Sequence, residues 1–222
     1  MFVMKRLFAE QHVLAHKLLK SQTERIPSDV VDAIEFLCGL GVAFKLSRNE
    51  PATSCQDAAL KRNRDGKTGI PLADELKSMF GAYKDTEGVE RPFLVHCRGH
   101  QWLDFQKLKR ALGARKRPRR LSLTELSKLD LEVGLVNPFE PWNFEPSASP
   151  FRLDLKLIAQ GVEQLFDQSL LQQFGKSSTV MTNAGDLTWA VEFDPREFIA
   201  KLPGAKVVAV VDNDRPGPSA GV

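Results

Sequence analysis

"DELKSMFGAYKDTEGVERPFLVHC", Asp74 to Cys97, is the stretch whose reading decides the fold. Leu76, Ser78, Phe80 and Ala82 alternate with Lys77, Met79, Gly81 and Tyr83, the two-residue period of a strand. "KDTEG" supplies a turn and "RPFLVHC" a second apolar strand, so the segment predicts an antiparallel hairpin. Lys77 stands where the proline-started "IPLADEL" gives way to that alternation. A lysine at the edge of a core asks for a partner outside the protein; the local alternative is a stem that lies on apolar surface and carries its ammonium to water.

Upstream of the hairpin, "IPSDVVDAIEFLCGLG" predicts a helix with Ser28 as cap, Val31, Ile34, Leu37 and Leu40 on its buried face, and Gly41 as its end. "VAFKLS" reads as a strand, "PATSCQDAALKR" as a helix capped by Thr53 or Ser54, and "NRDGKTG" as a loop. Downstream, "LDFQKLKRALGA" has Asp104 to cap it and Gly113 to stop it, and "SLTELSKL" has Ser122 and Glu125 at capping-box spacing. The proline- and aromatic-rich "VGLVNPFEPWNFEPSASP" predicts an ordered loop. "FRLDLKLIA", "VEQLFD", "STVMTNAG" and "LTWAVEF" predict extended segments, "DPREFIAKL" a helix started by Asp194 and Pro195, and "KVVAVV" a last strand. Strands and helices mix without strict alternation. The expected class is therefore α+β, with a mixed, largely antiparallel central sheet or partly closed barrel surrounded by helices.

The 222 residues, 42% hydrophobic, suffice for one core with appendages. We expect a helical arm at 1–25, where Phe2, Leu7, Val13, Leu14 and Leu18 fall at near-helical spacing, one domain at 26–212, and a frayed tail at 213–222. Three cysteines, few and odd in number, argue against a secreted disulfide framework and point to the cytoplasm. No run approaches the roughly 20 apolar residues of a membrane span, and the first residues lack the apolar run of a signal peptide.

The formal charge is only +3, but its distribution is uneven. Lys107, Lys109, Arg110, Arg115, Lys116, Arg117, Arg119 and Arg120 lie in one stretch with no acidic residue. Such a run is either a solvated face or a surface that binds a nucleic-acid backbone through charge and counterion release. "DGKTG" fails as a phosphate loop, because the glycine required five residues before the Gly-Lys pair is Lys61. His96, Cys97, His100 and Cys55 match no zinc spacing, and neither metal nor cofactor is expected. No nucleophile elbow or Ser/His/Asp order is visible.

Five segments, in order, carry a resemblance. "PATSCQDAALKR", "DELKSMF", "FLVHCRGHQWLDFQKLKRALGARK", "LEVGLVNPF" and "FDQSLL…TVMTNAG" together resemble the YbaK/prolyl-tRNA synthetase-associated editing domains, which are aminoacyl-tRNA deacylases. The resemblance spans about residues 28–203. It implies that Lys77 is the active-site lysine holding the tRNA 3′ end, and that the Gly134 to Pro138 loop, with Asn137 in it, presents backbone amides to the oxyanion. It further implies that Ser54, Phe139, Asn183, Ala184 and Gly185 surround the aminoacyl group, with Asp167 and Ser169 supporting them. The implied partner is a mischarged aminoacyl-tRNA, with room for an aminoacyl-tRNA synthetase beside it. Members that hydrolyse Cys-tRNA carry a tyrosine near Asn49 and an aspartate near Ala190. Neither is present here, which speaks against cysteine specificity and against attack by a substrate thiol. The stretch Trp142 to Gly161 exceeds the minimal domain. A tRNA-binding adaptor without turnover remains the alternative from another class.

Overall fold

The structure, a computed structural model, describes residues 26–128, 132, 134–139, 162–173 and 177–212. The expected arm, the tail, the strand "FRLDLKLIA" and the stretch Trp142 to Gly161 lie outside them. The described residues form an α+β fold with two principal sheets.

The hairpin is its centre. β4 (Leu76–Lys84) pairs antiparallel with β5 (Glu90–Arg98) over nine residue pairs, from Leu76 opposite Arg98 to Lys84 opposite Glu90. Asp85 closes the turn by accepting the Glu87 and Val89 amides at 3.0 and 2.9 Å. Both faces of the hairpin are covered. Phe80, Ala82 and Leu94 pack against Leu121 and Leu126, and Tyr83, Phe93 and Val95 against Leu108, Leu112 and Leu165. Gly81 is required by this crowding: a Cβ there would lie 2.4 Å from the Phe93 ring and 2.7 Å from the Arg119 carbonyl.

β6 (Arg119–Arg120) adds to β4 at Gly81 and Ala82, while β7 (Glu163–Asp167) and β10 (Lys206–Val208) continue beyond β5 in parallel. The five-stranded order is β10-β7-β5-β4-β6. A second, antiparallel sheet has the order β1-β9-β8, with β1 at Phe44–Arg48, β8 at Val180–Asn183 and β9 at Trp189–Phe193. A bridge between Glu75 and Met181 ties the two sheets together.

Among the described residues, five α-helices flank the sheets. α1 (Ser28–Leu40) buries Val30, Ala33, Ile34 and Leu37, so its apolar stripe follows the 3.6-residue period and not the every-third spacing read from the sequence. Its N-cap is Pro27, with no side-chain cap, while the Ser28 hydroxyl turns to Asp29; Gly41 ends it in the left-handed region at φ 66°. α2 (Cys55–Lys61), α3 (Phe105–Ala111) and α5 (Pro195–Lys201) start on caps from Ser54, Asp104 and Asp194, and α4 (Leu123–Ser127) on the Ser122/Glu125 capping box. Each capping oxygen satisfies an amide the helix itself leaves free.

"NRDGKTG" is a correction. It is a tight hairpin of β2 (Asn63–Arg64) and β3 (Lys67–Thr68), because Asp65 and Gly66 adopt φ 53° and 79°, the pair of positive angles that an Asp-Gly turn permits. The turn aims Arg64 inward, where it meets Asp74 at 2.6 Å and Glu192 at 2.9 Å.

Candidate active-site cavity

A cavity of about 470 Å³ opens beside β4, between the start of α2, the Gly134 loop and the ends of β8 and α4. Lys77, Ser54, Gly134 and Asn183, four of the residues singled out in the sequence, line it. Ser54 is committed to its cap, its hydroxyl accepting the Asp57 amide at 3.2 Å. Beside it, burial pushes the Cys55 thiol up to about 11, so it stays protonated near neutrality.

The Gly134 loop is held by two asparagines. Asn183 donates to the Gly134 carbonyl at 2.8 Å, Asn137 donates to the Leu135 carbonyl at 3.0 Å and to the Asn183 side-chain oxygen Oδ1 at 3.1 Å, and Gly185 donates its amide to that same Oδ1 at 3.0 Å. In a planar trans peptide the carbonyl and the next N–H point in opposite directions. Turning the Leu135 and Val136 carbonyls to the asparagines therefore turns the Val136 and Asn137 amides away from them. Gly134 has φ 95°, and a Cβ on it would come within 3.3 Å of Ala52 and Thr53 at the start of α2. Gly185, at φ 89°, is similarly pressed against Asp29, 2.8 Å from its Cβ.

Lys77 forms part of the cavity wall, with its ammonium donating to the Gln101 carbonyl and lying 5.5 Å from the centre of the Trp102 ring. An ammonium has three donors. Asp167 and Ser169 stand behind this contact. Asp167, fully buried, accepts the Ser169 amide at 2.9 Å and the Val210 and Val211 amides at 2.9 and 3.2 Å, while the Ser169 hydroxyl donates to the Gln101 side chain at 2.9 Å. The pair fixes the residue that holds Lys77. Phe139, Ala184 and Pro138 do not line the cavity. The Phe139 ring packs among Phe36, Phe193 and Phe198, Ala184 is in the same core, and the Pro138 carbonyl accepts from Gln164 at 3.2 Å.

Three features of the cavity were not read from the sequence. Its floor holds a buried ion pair, Arg62 forking onto Glu75 at 3.1 and 2.8 Å with both residues 3% exposed. Burial pushes the Glu75 carboxyl up, against the pull of the Arg62 guanidinium. Its apolar wall comes from Phe80, Leu121, Leu123 and Leu126. Ser78, also on the wall, bonds His96 at 2.9 Å. The hairpin register contained this last signal, since Ser78 falls directly opposite His96. His96 and Cys97 point to opposite faces of β5, as neighbours on a strand do. Among the described residues no group of His, Cys, Asp and Glu gathers as a metal site.

The structure divides the basic run. Lys107 donates to the Val211 carbonyl at 2.8 Å, and Arg119 is held by Glu90 at 2.9 Å and Glu125 at 2.8 Å. Arg117 and Arg120 flank the Phe105 ring at 5.3 and 5.9 Å. Among the described residues, Lys109, Arg110, Arg115, Lys116, Arg117 and Arg120 make no ion pair, and the exposed Arg120 also lines the cavity.

Arg119 pulls the Glu125 carboxyl down to about 2 through its hydrogen bonds, helped by Ser122. A lowered carboxylate contributes stability that is complete above its ordinary value of 4.5 and is lost as pH falls towards 2. Glu125→Gln is therefore expected to narrow its deficit against wild type on acidification through that window. Thermal midpoints of the two proteins from pH 6 to pH 2 (about the range that the linkage argument covers) check this; a constant difference across the window would contradict it.

No family model matches the chain, and no curated protein does. Solved structures do. The crystal structure of a hypothetical protein, APE2540, is 20% identical with a TM-score of 0.57, covering 82% of this chain and 99% of that one. A candidate trans-editing enzyme for prolyl tRNA synthetase is 18% identical with a TM-score of 0.55, covering 85% and 99%. A candidate signal transduction protein from Marinobacter aquaeolei VT8 is 14% identical with a TM-score of 0.50, covering 85% of this chain but 31% of that one. At these identities the likeness is one of fold. No helix among the described residues is long and apolar enough to cross a membrane.

Proposed function

We propose that this chain is a free-standing trans-editing aminoacyl-tRNA deacylase of the cytoplasm, which hydrolyses the ester joining a mischarged amino acid to the tRNA 3′ end. The observation that carries the reading is one cavity with Lys77, Gly134 and Asn183 on its walls and Arg120, an exposed member of the basic run, at the same cavity. The fold shared with a candidate trans-editing enzyme supports it.

In this reading the 3′ end enters the cavity and Lys77 holds its phosphate and ribose. One ammonium donor stays on the Gln101 carbonyl and two remain for the substrate. Water attacks the ester carbonyl, and the Val136 amide, on the cavity wall, stabilises the oxyanion, while the buried Asn137 side chain holds the loop in place. The bond to the ribose oxygen then breaks, that oxygen takes a proton, and the amino acid leaves. Lys109, Arg110, Arg115, Lys116, Arg117 and Arg120 hold the acceptor stem, whereas Lys107 and Arg119 are occupied within the protein. The need for such an activity is physical: a methylene difference is worth only about 1–3 kcal/mol in binding, so synthetases require a second sieve.

The test is turnover of alanyl, seryl, threonyl, cysteinyl and prolyl esters on several tRNAs. We expect cleavage of one or two of them, and tRNA binding that falls steeply with salt. Binding without cleavage of any ester would overturn the enzyme reading in favour of the adaptor, for which the contact between Lys77 and Gln101 would be a purely structural one.

A further inference from the structure

A chain of hydrogen bonds runs from the cavity wall into the core and ends on a group that can act in only one way. The Gln164 amide nitrogen lies 3.2 Å from the Pro138 carbonyl oxygen, which can only accept. The amide is thereby oriented, and its oxygen faces His96 Nε2 at 3.0 Å. That oxygen also can only accept, so Nε2 carries the imidazole proton. His96 is fully buried, stacked on Phe166 at 4.6 Å, and burial holds its pKa down to about 3, so the ring is neutral. A neutral ring protonated on Nε2 has a bare lone pair on Nδ1. The Ser78 hydroxyl, 2.9 Å away, must therefore donate its only proton to Nδ1.

We infer that Ser78 Oγ is a hydrogen-bond acceptor built into the cavity wall, taking an N–H or O–H donor of the ligand, with His96 and Gln164 as the positioning pair behind it. With its proton committed, the hydroxyl presents only lone pairs to the cavity. It therefore discriminates against a carbonyl or phosphate oxygen at that point and favours a donor. The pair does not make Ser78 a nucleophile. Full transfer of the hydroxyl proton would place an imidazolium in the core with no carboxylate of the described residues bonded to it, and burial opposes that. Gln164 also links the relay to the Gly134 loop through Pro138, so the serine and the loop amides are held by one set of bonds.

The choice of ligand rests on the proposed deacylase reading. An aminoacyl ester offers two donors close to its carbonyl: the α-ammonium and the ribose hydroxyl next to the ester. Three probes separate them: alanyl-adenosine with an amide in place of the 3′ ester, which resists hydrolysis, its des-amino form, and its 2′-deoxy form. Each is titrated into wild type and Ser78→Ala by calorimetry or NMR. Removing one of the two donors is expected to weaken wild-type binding about tenfold, a hydrogen bond's worth, and Ser78→Ala is expected to abolish that penalty. Equal penalties in both proteins, or no binding of the parent probe to wild type, would overturn the assignment. Nitrogen shifts of the His96 ring give a readout independent of binding: Nε2 pyrrole-like and Nδ1 pyridine-like are expected, and the reverse tautomer would overturn it. Failure here with ester turnover intact leaves the deacylase reading standing, and the Ser78 effect without turnover removes hydrolysis alone.

Discussion

Glu75→Ala is expected to cost about 3–5 kcal/mol of folding stability, the usual effect of leaving one member of a buried ion pair without its partner. The Arg62 guanidinium, 3% exposed in the wild type, would be left at the cavity floor with both arms of its fork unmatched. A domain of this size is held by only about 5–15 kcal/mol in total, so the variant should unfold at a much lower urea concentration. The double variant Arg62→Met with Glu75→Leu removes both charges and is expected to recover most of the loss, because well-packed apolar pairs replace buried ion pairs at little cost. Urea midpoints at constant slope measure both. A loss below about 1 kcal/mol for Glu75→Ala would mean that water reaches the pair and that it behaves as a surface salt bridge. The bridge from Glu75 to Met181 that joins the two sheets is a main-chain contact and is kept in both variants.

The hairpin was legible because it is locally determined. Alternation over Leu76–Lys84, an Asp-led turn and a second apolar run leave few other arrangements. The caps at Ser54, Asp104, Ser122 and Asp194 were legible for the same reason, each being a contact within three residues of its own helix. The β2/β3 hairpin carried its own signal in Asp65-Gly66, but the polar stretch around it lacks the apolar flanks that usually mark strands. β6 is two residues long and exists only because Gly81 lets it approach β4.

The lining of the candidate cavity was legible in a different way. Resemblance singled out Lys77, Gly134 and Asn183, which one cavity brings together although they lie more than a hundred residues apart at the extremes. Periodicity could not have done so. Of Asp167 and Ser169, which the resemblance implies as supporting residues, Ser169 bonds the side chain of Gln101, a residue with no local signal, and Asp167 accepts the Ser169 amide. Arg62–Glu75 stayed hidden because nothing local joins the end of α2 to the residue before β4, and the Gln164 end of the His96 contact because the parallel pairing of β5 with β7 brings Gln164 to His96 only in the folded chain. Composition likewise gave the basic run a single character. The fold splits it into Lys107 and Arg119, bound within the protein, and six residues free of ion pairs among those described.

The measurement that tests the account most directly is single-turnover deacylation of the aminoacyl-tRNA panel by wild type and Lys77→Ala, side by side. Among the described residues Lys77 bridges only the Gln101 carbonyl and the Trp102 face, so its truncation should leave the fold in place and shift the urea midpoint little. Wild type is expected to cleave at least one ester, and the variant to cleave it about 100-fold or more slowly, the scale of removing one electrostatic group from a transition state. A folded Lys77→Ala protein that cleaves the same ester as fast as wild type would contradict the assignment of this cavity.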